Sequence, residues 1–302
     1  MPEVLVLALG DAPEGAGSTD DGCGEPSGRP ATPRVPVLAC ADALRAGGAR
    51  VEQVVAENDA EIDMAVKTVT EGEARLVVAA ATDGEVRAVV RRMLRWYAPP
   101  PSRRPAHLPP GRTLLDLPPL AVLPLAPAVP ELVARLDLPR DPAAVAAAVL
   151  GGRTRRLDLL RTDAGSVTLH AALLGGADGE GRIAPWRGEV TVDDAVLTDG
   201  TEPLLACAVA NAGPVELGGL PLITGAQADD GLVAVAVALA AARPRRGRTA
   251  SVEYEVRRAR GRAVSVHPRD GALPLLDDGV AARLTHRRAW WTEPAAWATY
   301  IS

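Results

Sequence analysis

The chain has 302 residues, 47% of them hydrophobic, which is enough for a large core in one or two domains. Its 33 basic and 38 acidic residues leave a net charge of −5, so there is no global basic footprint and no case for nucleic-acid binding. The three cysteines, Cys23, Cys40 and Cys207, are odd in number and widely spaced, which excludes a disulfide framework or a cysteine metal site and fits a reduced, cytoplasmic setting.

The start, MPEVLVLALG, lacks a basic leader region, and its apolar run is too short to span a bilayer. Val4 to Leu9 reads as a buried strand. Residues 11–36 are rich in Gly, Pro, Ser and acid and read as a flexible loop. Leu38 to Gly47 reads as a helix that stops at glycine, and Val51 to Ala56 as a strand. Asn58 or Asp59 caps a helix that carries Ile62, Ala65, Val66 and Val69 on one face. Arg75 to Ala81 is a buried strand, followed by a helix with Val86, Val89, Val90, Met93 and Leu94 at helical spacing. Residues 98–112 are proline-dense and read as a second flexible loop. Leu120 to Leu125 is a fourth strand. Strands alternating with helices predict a parallel sheet with right-handed crossovers, covered on both faces.

The second half differs. Asp141-Pro142 opens a short helix that ends at Gly151-Gly152. Short strand-like runs follow at Leu157–Leu160, Val167–Leu174, Glu189–Leu197, Leu204–Ala210, Leu232–Leu239, Ser251–Arg257 and Arg262–His267, separated by Gly, Asp and Pro. The pattern predicts an α/β domain over 1–142, an antiparallel β-sandwich over 143–284, and a tail at 285–302 that returns to the α/β domain. Arginine carries nearly all the positive charge, since Lys67 is the single lysine. Lys67 falls on a predicted helix face, so no lysine phosphate clamp is expected.

Four strings carry a resemblance. The first is VVAAATDGEVRAVV, in which Ala81, Thr82, Asp83, Gly84 and Glu85 form a turn between strand and helix. The second is LAVLPLAPAVPELVARLDLP, with Pro127, Ala128, Val129, Pro130 and Glu131 at its turn. The third contains Asn211, Gly218, Gly219, Ala226, Asp229, Asp230, Gly231 and Leu232. The fourth, ALPLLDDGV, holds Asp278, Gly279 and Val280. In order and spacing these resemble the diacylglycerol kinase / sphingosine kinase / bacterial lipid kinase family, whose corresponding strings read Gly-Gly-Asp-Gly-Thr, Gly-Thr-Gly-Asn-Asp, Asp-Asp-Gly-Leu and Leu-Asp-Gly-Glu. The resemblance implies a Rossmann-like α/β domain of the NAD-kinase/diacylglycerol-kinase type ahead of the β-sandwich. It implies ATP bound at Thr82, Asp83, Gly84 and Glu131, magnesium held by Asp229 and Asp230, and Asp278 and Asp83 as catalytic acids, with Asp278 the base toward a lipid hydroxyl. The expected partner is a lipid, with room for peripheral membrane contact and for a homodimer.

The departures matter to the chemistry. Both leading glycines of the first string are gone, and Glu85 stands where the family has Thr. A carboxylate about 4 Å from a phosphate costs on the order of 4 kcal/mol per charge pair at an effective dielectric near 20. Two prolines in the second string remove amide donors. Each string also has a structural reading: a helix cap at Asp83-Gly84, a plain loop at 127–131, and hairpin turns at 229–231 and 277–279. The alternatives are therefore an ATP- and magnesium-dependent lipid kinase, weakened or not, and a non-catalytic homologue that binds lipid or acts as a scaffold. An NAD-kinase-like enzyme fits the acidic strings less well. Asp158 reads as a structural partner, His170 as a satisfied core residue of an apolar strand, and the aromatic tail AWWTEPAAWATY as packing on the α/β domain.

Overall fold

The computed structural model describes residues 1–10, 35–99, 105–125, 129–176, 183–242 and 252–302. Residues 11–34 of the first expected loop and 100–104 of the Pro-rich stretch lie outside the described residues, as do Pro127 and Ala128.

The first lobe runs β1 (Glu3–Leu9), α1 (Val35–Ala46), β2 (Arg50–Ala56), α2 (Asp59–Gly72), β3 (Arg75–Ala80), α3 (Asp83–Tyr97), β4 (Leu120–Pro124), α4 (Glu131–Arg135) and α5 (Pro142–Gly151). Its strands pair in parallel in the order β2-β1-β3-β4. Strands β3 and β4 are continuous apolar runs because both faces are covered. Ile62, Val66, Val86, Val89 and Met93 of α2 and α3 fill one face. Val37, Leu44, Val145 and Val149 of α1 and α5 fill the other. Side-chain caps set the helix starts: Asn58 accepts from the amides of Ala60 and Glu61, and Asp141 accepts from Ala144 ahead of Pro142.

The second lobe is built from β5 (Thr154–Thr162), β6 (Val167–Thr168), β7 (Ala171–Gly175), β8 (Gly188–Val192), β9 (Ala195–Asp199), β10 (Leu204–Ala210), β11 (Val215–Leu217), β12 (Leu220–Ile223), β13 (Val233–Ala242), β14 (Val252–Gly261), β15 (Ala263–Pro268), β16 (Leu273–Asp277), β17 (Val280–Leu284) and β18 (Arg288–Tyr300). One sheet has the order β14-β13-β10-β7-β16-β17 and faces β18, β15 and β8 across a core that includes Trp186, Cys207, Val235, Val264 and Trp290. The architecture is thus an α/β lobe followed by an antiparallel β-sandwich.

The aromatic tail becomes strand β18. It pairs antiparallel with β15 and β5 and, at Thr299, in parallel with Leu120 of β4. The α/β sheet therefore runs without a break into the sandwich as one ten-stranded sheet. Trp290 lies in the sandwich core, Trp297 in one α/β core and Tyr300 in the other.

Two runs expected as single strands are broken. Glu189–Leu197 turns at Asp193, whose φ is 48° and whose carboxylate accepts from the amides of Arg262 and Ala263. Val167–Leu174 is interrupted at Leu169 and His170, because the amides there point to a carboxylate rather than to a neighbouring strand. Cys40 and Cys207 are free, buried thiols, and burial pushes them up to about 11 and about 12.

Candidate active site between the lobes

The turn after β3 is a reciprocally capped helix start. Thr82 is the N-cap of α3, and its hydroxyl accepts from the amide of Glu85. Glu85 reaches back and accepts from the amide of Ala81 at 2.6 Å. The departure of Glu85 from the family pattern thus has a local purpose: its carboxylate takes the Ala81 N–H and closes the cap. Asp83 accepts from the amide of Leu132 at 3.0 Å and so supplies the cap that α4 lacks, since Pro130 at its N-cap has no side-chain hydrogen bond. One carboxylate ties the first two strings of the sequence together.

Asp278 lies in the β16–β17 hairpin. Asp277 pairs with Val280, and Asp278 and Gly279 have φ of 49° and 78°, a two-residue turn that demands left-handed backbone at both positions. The Asp278 side chain has no solvent exposure. It accepts from the amides of Leu169 at 2.7 Å, His170 at 2.8 Å and Ala171 at 3.1 Å. This carboxylate breaks the β6–β7 run. Burial and the adjacent Asp277 push its carboxyl up to about 7, against the pull of those amides and of Arg87.

Arg87, on α3, crosses from the first lobe to the second. Its guanidinium donates to the Asp277 carboxylate at 2.6 Å, to the Val167 carbonyl at 2.6 Å and to the Ser166 hydroxyl at 3.0 Å. Thr168 donates to the other Asp277 oxygen at 2.7 Å. Gly84 rests on this hairpin so closely that a Cβ there would stand 2.6 Å from Cγ2 of Val280.

Between these elements lies a cleft of about 580 Å³. The α/β lobe contributes Thr82, Asp83, Val129, Glu131 and Arg135; the sandwich contributes His170, Leu173, Val215, Glu216, Leu276 and Asp278. Asp83 and Asp278, expected as catalytic acids, line this one cleft, and so do Thr82 and Glu131. Asp229 and Asp230 do not. Asp229 is exposed, and Asp230 accepts from the amide of Leu232 and pairs with the Arg260 guanidinium. Asp83 and Asp278 thus share the cleft, whereas Asp229 and Asp230, expected as magnesium ligands, lie outside it, with Asp230 held by Arg260 at the edge of β14. Among the described residues, no three His, Cys, Asp or Glu side chains converge closely enough to hold a metal ion.

Asn211 and Gly231 of the third string belong to a buried knot around Asp158. Asp158 accepts from the amides of Gly231 at 2.6 Å and Ala295 at 2.7 Å. Its carbonyl accepts from Asn211 at 2.9 Å and from the Trp297 indole at 2.8 Å. Asn211 also donates to the Leu169 carbonyl at 2.9 Å, fixing the chain beside His170.

His170 is not a satisfied core residue. Its Nδ1 faces Asp83 at 3.6 Å and Glu131 at 3.9 Å, beyond hydrogen-bond length, and its Nε2 has no partner among the described residues. Sequence reasoning missed His170, Arg87, Arg135 and Glu216. No local signal marked His170, because only the distant Asp278 turns that residue out of a strand ladder and into the cleft wall.

Two lobes joined by a shared sheet, with an acid-lined cleft between a strand–turn–helix and a β-sandwich hairpin, define the diacylglycerol-kinase type of fold. Residues 25–162 match the family model of the diacylglycerol kinase catalytic domain, and over that segment the chain is similar to this family. A solved diacylglycerol kinase from Bacillus anthracis str. Sterne aligns with a TM-score of 0.63 at 13% identity, covering 99% of this chain and 97% of that one. Two further structures of diacylglycerol kinase type from the same organism, 12% and 11% identical, each give a TM-score of 0.64 over 99% of this chain and 96% and 97% of theirs. At these identities the likeness is one of fold. No curated protein matches the sequence. Among the described residues no helix is long and apolar enough to cross a membrane.

Proposed function

We propose that this chain is a lipid-kinase homologue that binds an amphiphilic ligand in the interlobe cleft and does not transfer phosphoryl groups from MgATP at kinase rates. The observation that carries this reading is the Glu85 carboxylate on the Ala81 amide. Phosphoryl transfer depends on positioning and on charge neutralisation, and here a fixed negative charge sits where the family's phosphate-facing amides begin. Val129 and Pro130, in the second turn, add apolar wall and no proline amide. A cytoplasmic setting, peripheral membrane contact and a homodimer are compatible additions to this reading.

The second reading is an active lipid kinase. It is favoured by Asp83 and Asp278 on one cleft and by an Asp278 carboxyl pushed up to about 7, the range that suits a general base near neutral pH. In that case Asp83 and Glu131 are the carboxylates that would hold magnesium, in the manner of sites that use one or two carboxylates and complete the shell with water and phosphate.

One experiment separates the two. Purified protein is titrated with MgATP by thermal denaturation, and transfer of labelled phosphate to diacylglycerol in mixed micelles is followed in parallel. The expected result is no transfer and no stabilisation at millimolar nucleotide. A stabilisation approaching about 2.7 kcal/mol at hundredfold excess over the dissociation constant, together with transfer that Asp278→Asn abolishes, overturns the proposal.

A further inference from the structure

We propose that the chain pairs with a second copy of itself along β14, so that two six-stranded sheets join into one continuous sheet across a two-fold axis. The pairing does not rest on the ligand-binding reading above, for the cleft lies at β7 and β16, away from β14 in the sheet order. β14 ends its sheet, and among the described residues nothing hydrogen-bonds to the outer side of its backbone. It runs for ten residues in unbroken register with β13, and it contains no proline and no bulge. The other free edges of the sandwich, β9 and β17, have five residues each. Folded chains either blunt an edge of such length or use it for pairing.

The side chains of β14 specify one register. Val256 and Arg258 lie on the face that carries the β11–β12 hairpin, where Arg258 donates to the carbonyls of Leu222 and Pro221, each at 2.6 Å. Glu255 and Arg257 lie on the opposite face, where Arg257 donates to the Leu197 carbonyl of β9 at 3.2 Å. Directly opposed pairs alternate in type along an antiparallel ladder, so a two-fold axis normal to the sheet passes through one pair, and one residue faces its own copy. With Glu255, Arg257 or Arg258 on the axis, like charges oppose each other. With Ala259 there, Arg258 opposes Arg260. With Val256 on the axis, Val256 meets Val256, Glu255 meets Arg257 of the second copy, and Tyr254 meets Arg258 of the second copy. Opposite charges across a ladder favour pairing, and a guanidinium is attracted to an aromatic face. Tyr254 is 53% exposed, and Val196 on the neighbouring edge β9 is 60% exposed, so both gain cover on the same side of the sandwich. An edge guarded by charge alone needs only one sign, whereas here both signs stand in self-complementary order.

The test is sedimentation velocity of the full chain over a range of concentrations. The expected result is a reversible dimer of the parent protein. Glu255→Arg and Arg257→Glu each weaken it at least about tenfold, because each sets like charges across the axis twice. An equimolar mixture of the two variants recovers a dimer with one chain of each kind, since every pair between positions 255 and 257 is again of opposite sign. That recovery also shows that both variants are folded. Glu52→Arg, on the edge strand β2 of the other lobe, leaves association unchanged. A monomeric parent, a dimer indifferent to both reversals, a mixture that fails to pair, or a dimer lost through Glu52→Arg overturns the inference. Association of the parent is read before any variant, so a variant that misfolds leaves the inference open to refutation. Phosphoryl transfer is read in a separate assay, and its outcome bears on the functional reading alone.

Discussion

Asp278 carries opposing demands. Three amide donors favour its ionised form, while complete burial and the neighbouring Asp277 disfavour it, and the balance leaves the carboxyl raised to about 7. A carboxyl that titrates higher in the folded than in the unfolded chain gives stability that is fully present below the unfolded value of about 3.9 and is lost as pH rises through about 7. Urea midpoints should therefore fall from pH 5 to pH 8 in the parent protein. Asp278→Asn should flatten that slope, since no proton is taken up at that site. A parallel fall in both proteins would assign the titration elsewhere.

Arg87 is the other decisive residue. Replacing it with Met leaves the Asp277 carboxylate buried without its guanidinium, and breaking one side of such a pair costs about 3–5 kcal/mol. Arg87→Met with Asp277→Leu should lose less than Arg87→Met alone, because the stranded charge is removed as well. Equilibrium denaturation of the two variants checks this.

At the scale of elements, the α3 start and the β16–β17 hairpin are one packed unit. Gly84 is required by the approach of Val280, for an added Cβ would lie 2.6 Å from a stiff β-branched methyl. Gly84→Ala should cost about 1–3 kcal/mol, and the second substitution Val280→Ala should restore most of it. Failure of the rescue would place the strain in the helix start itself.

The elements differ in how clearly the sequence announced them. Buried strands and amphipathic helices of the first lobe follow from local periodicity and caps, such as Asn58 and Asp141, and these lie where the pattern places them. Asp83-Gly84 and Asp278-Gly279 were legible as turns. Their partners were not, because Leu132, Leu169 and Arg87 are reached only through the tertiary fold. The same applies to the broken strand at His170: a propensity for extended structure yields there to three hydrogen bonds donated to a carboxylate more than a hundred positions away.

For the molecule as a whole, β18 unites the lobes. It inserts Trp290 into the sandwich and Trp297 and Tyr300 into the α/β cores, so both lobes depend on it. Trp297→Ala should cost about 3–5 kcal/mol. Unfolding should remain a single transition, with tryptophan fluorescence and far-ultraviolet circular dichroism coinciding. Two resolved transitions would show that the lobes are independent.

Among the described strands this shared one is also the last to leave the ribosome, with the whole of β5 to β17 made between it and β4. Until it arrives, β4 and β5 present unpaired backbone along an apolar edge, and neither hydrophobic interior is complete. Between the emergence of β4 and that of β18 a nascent chain is therefore sticky, and its yield in cells should respond to chaperone supply and growth temperature more than its finished stability would suggest.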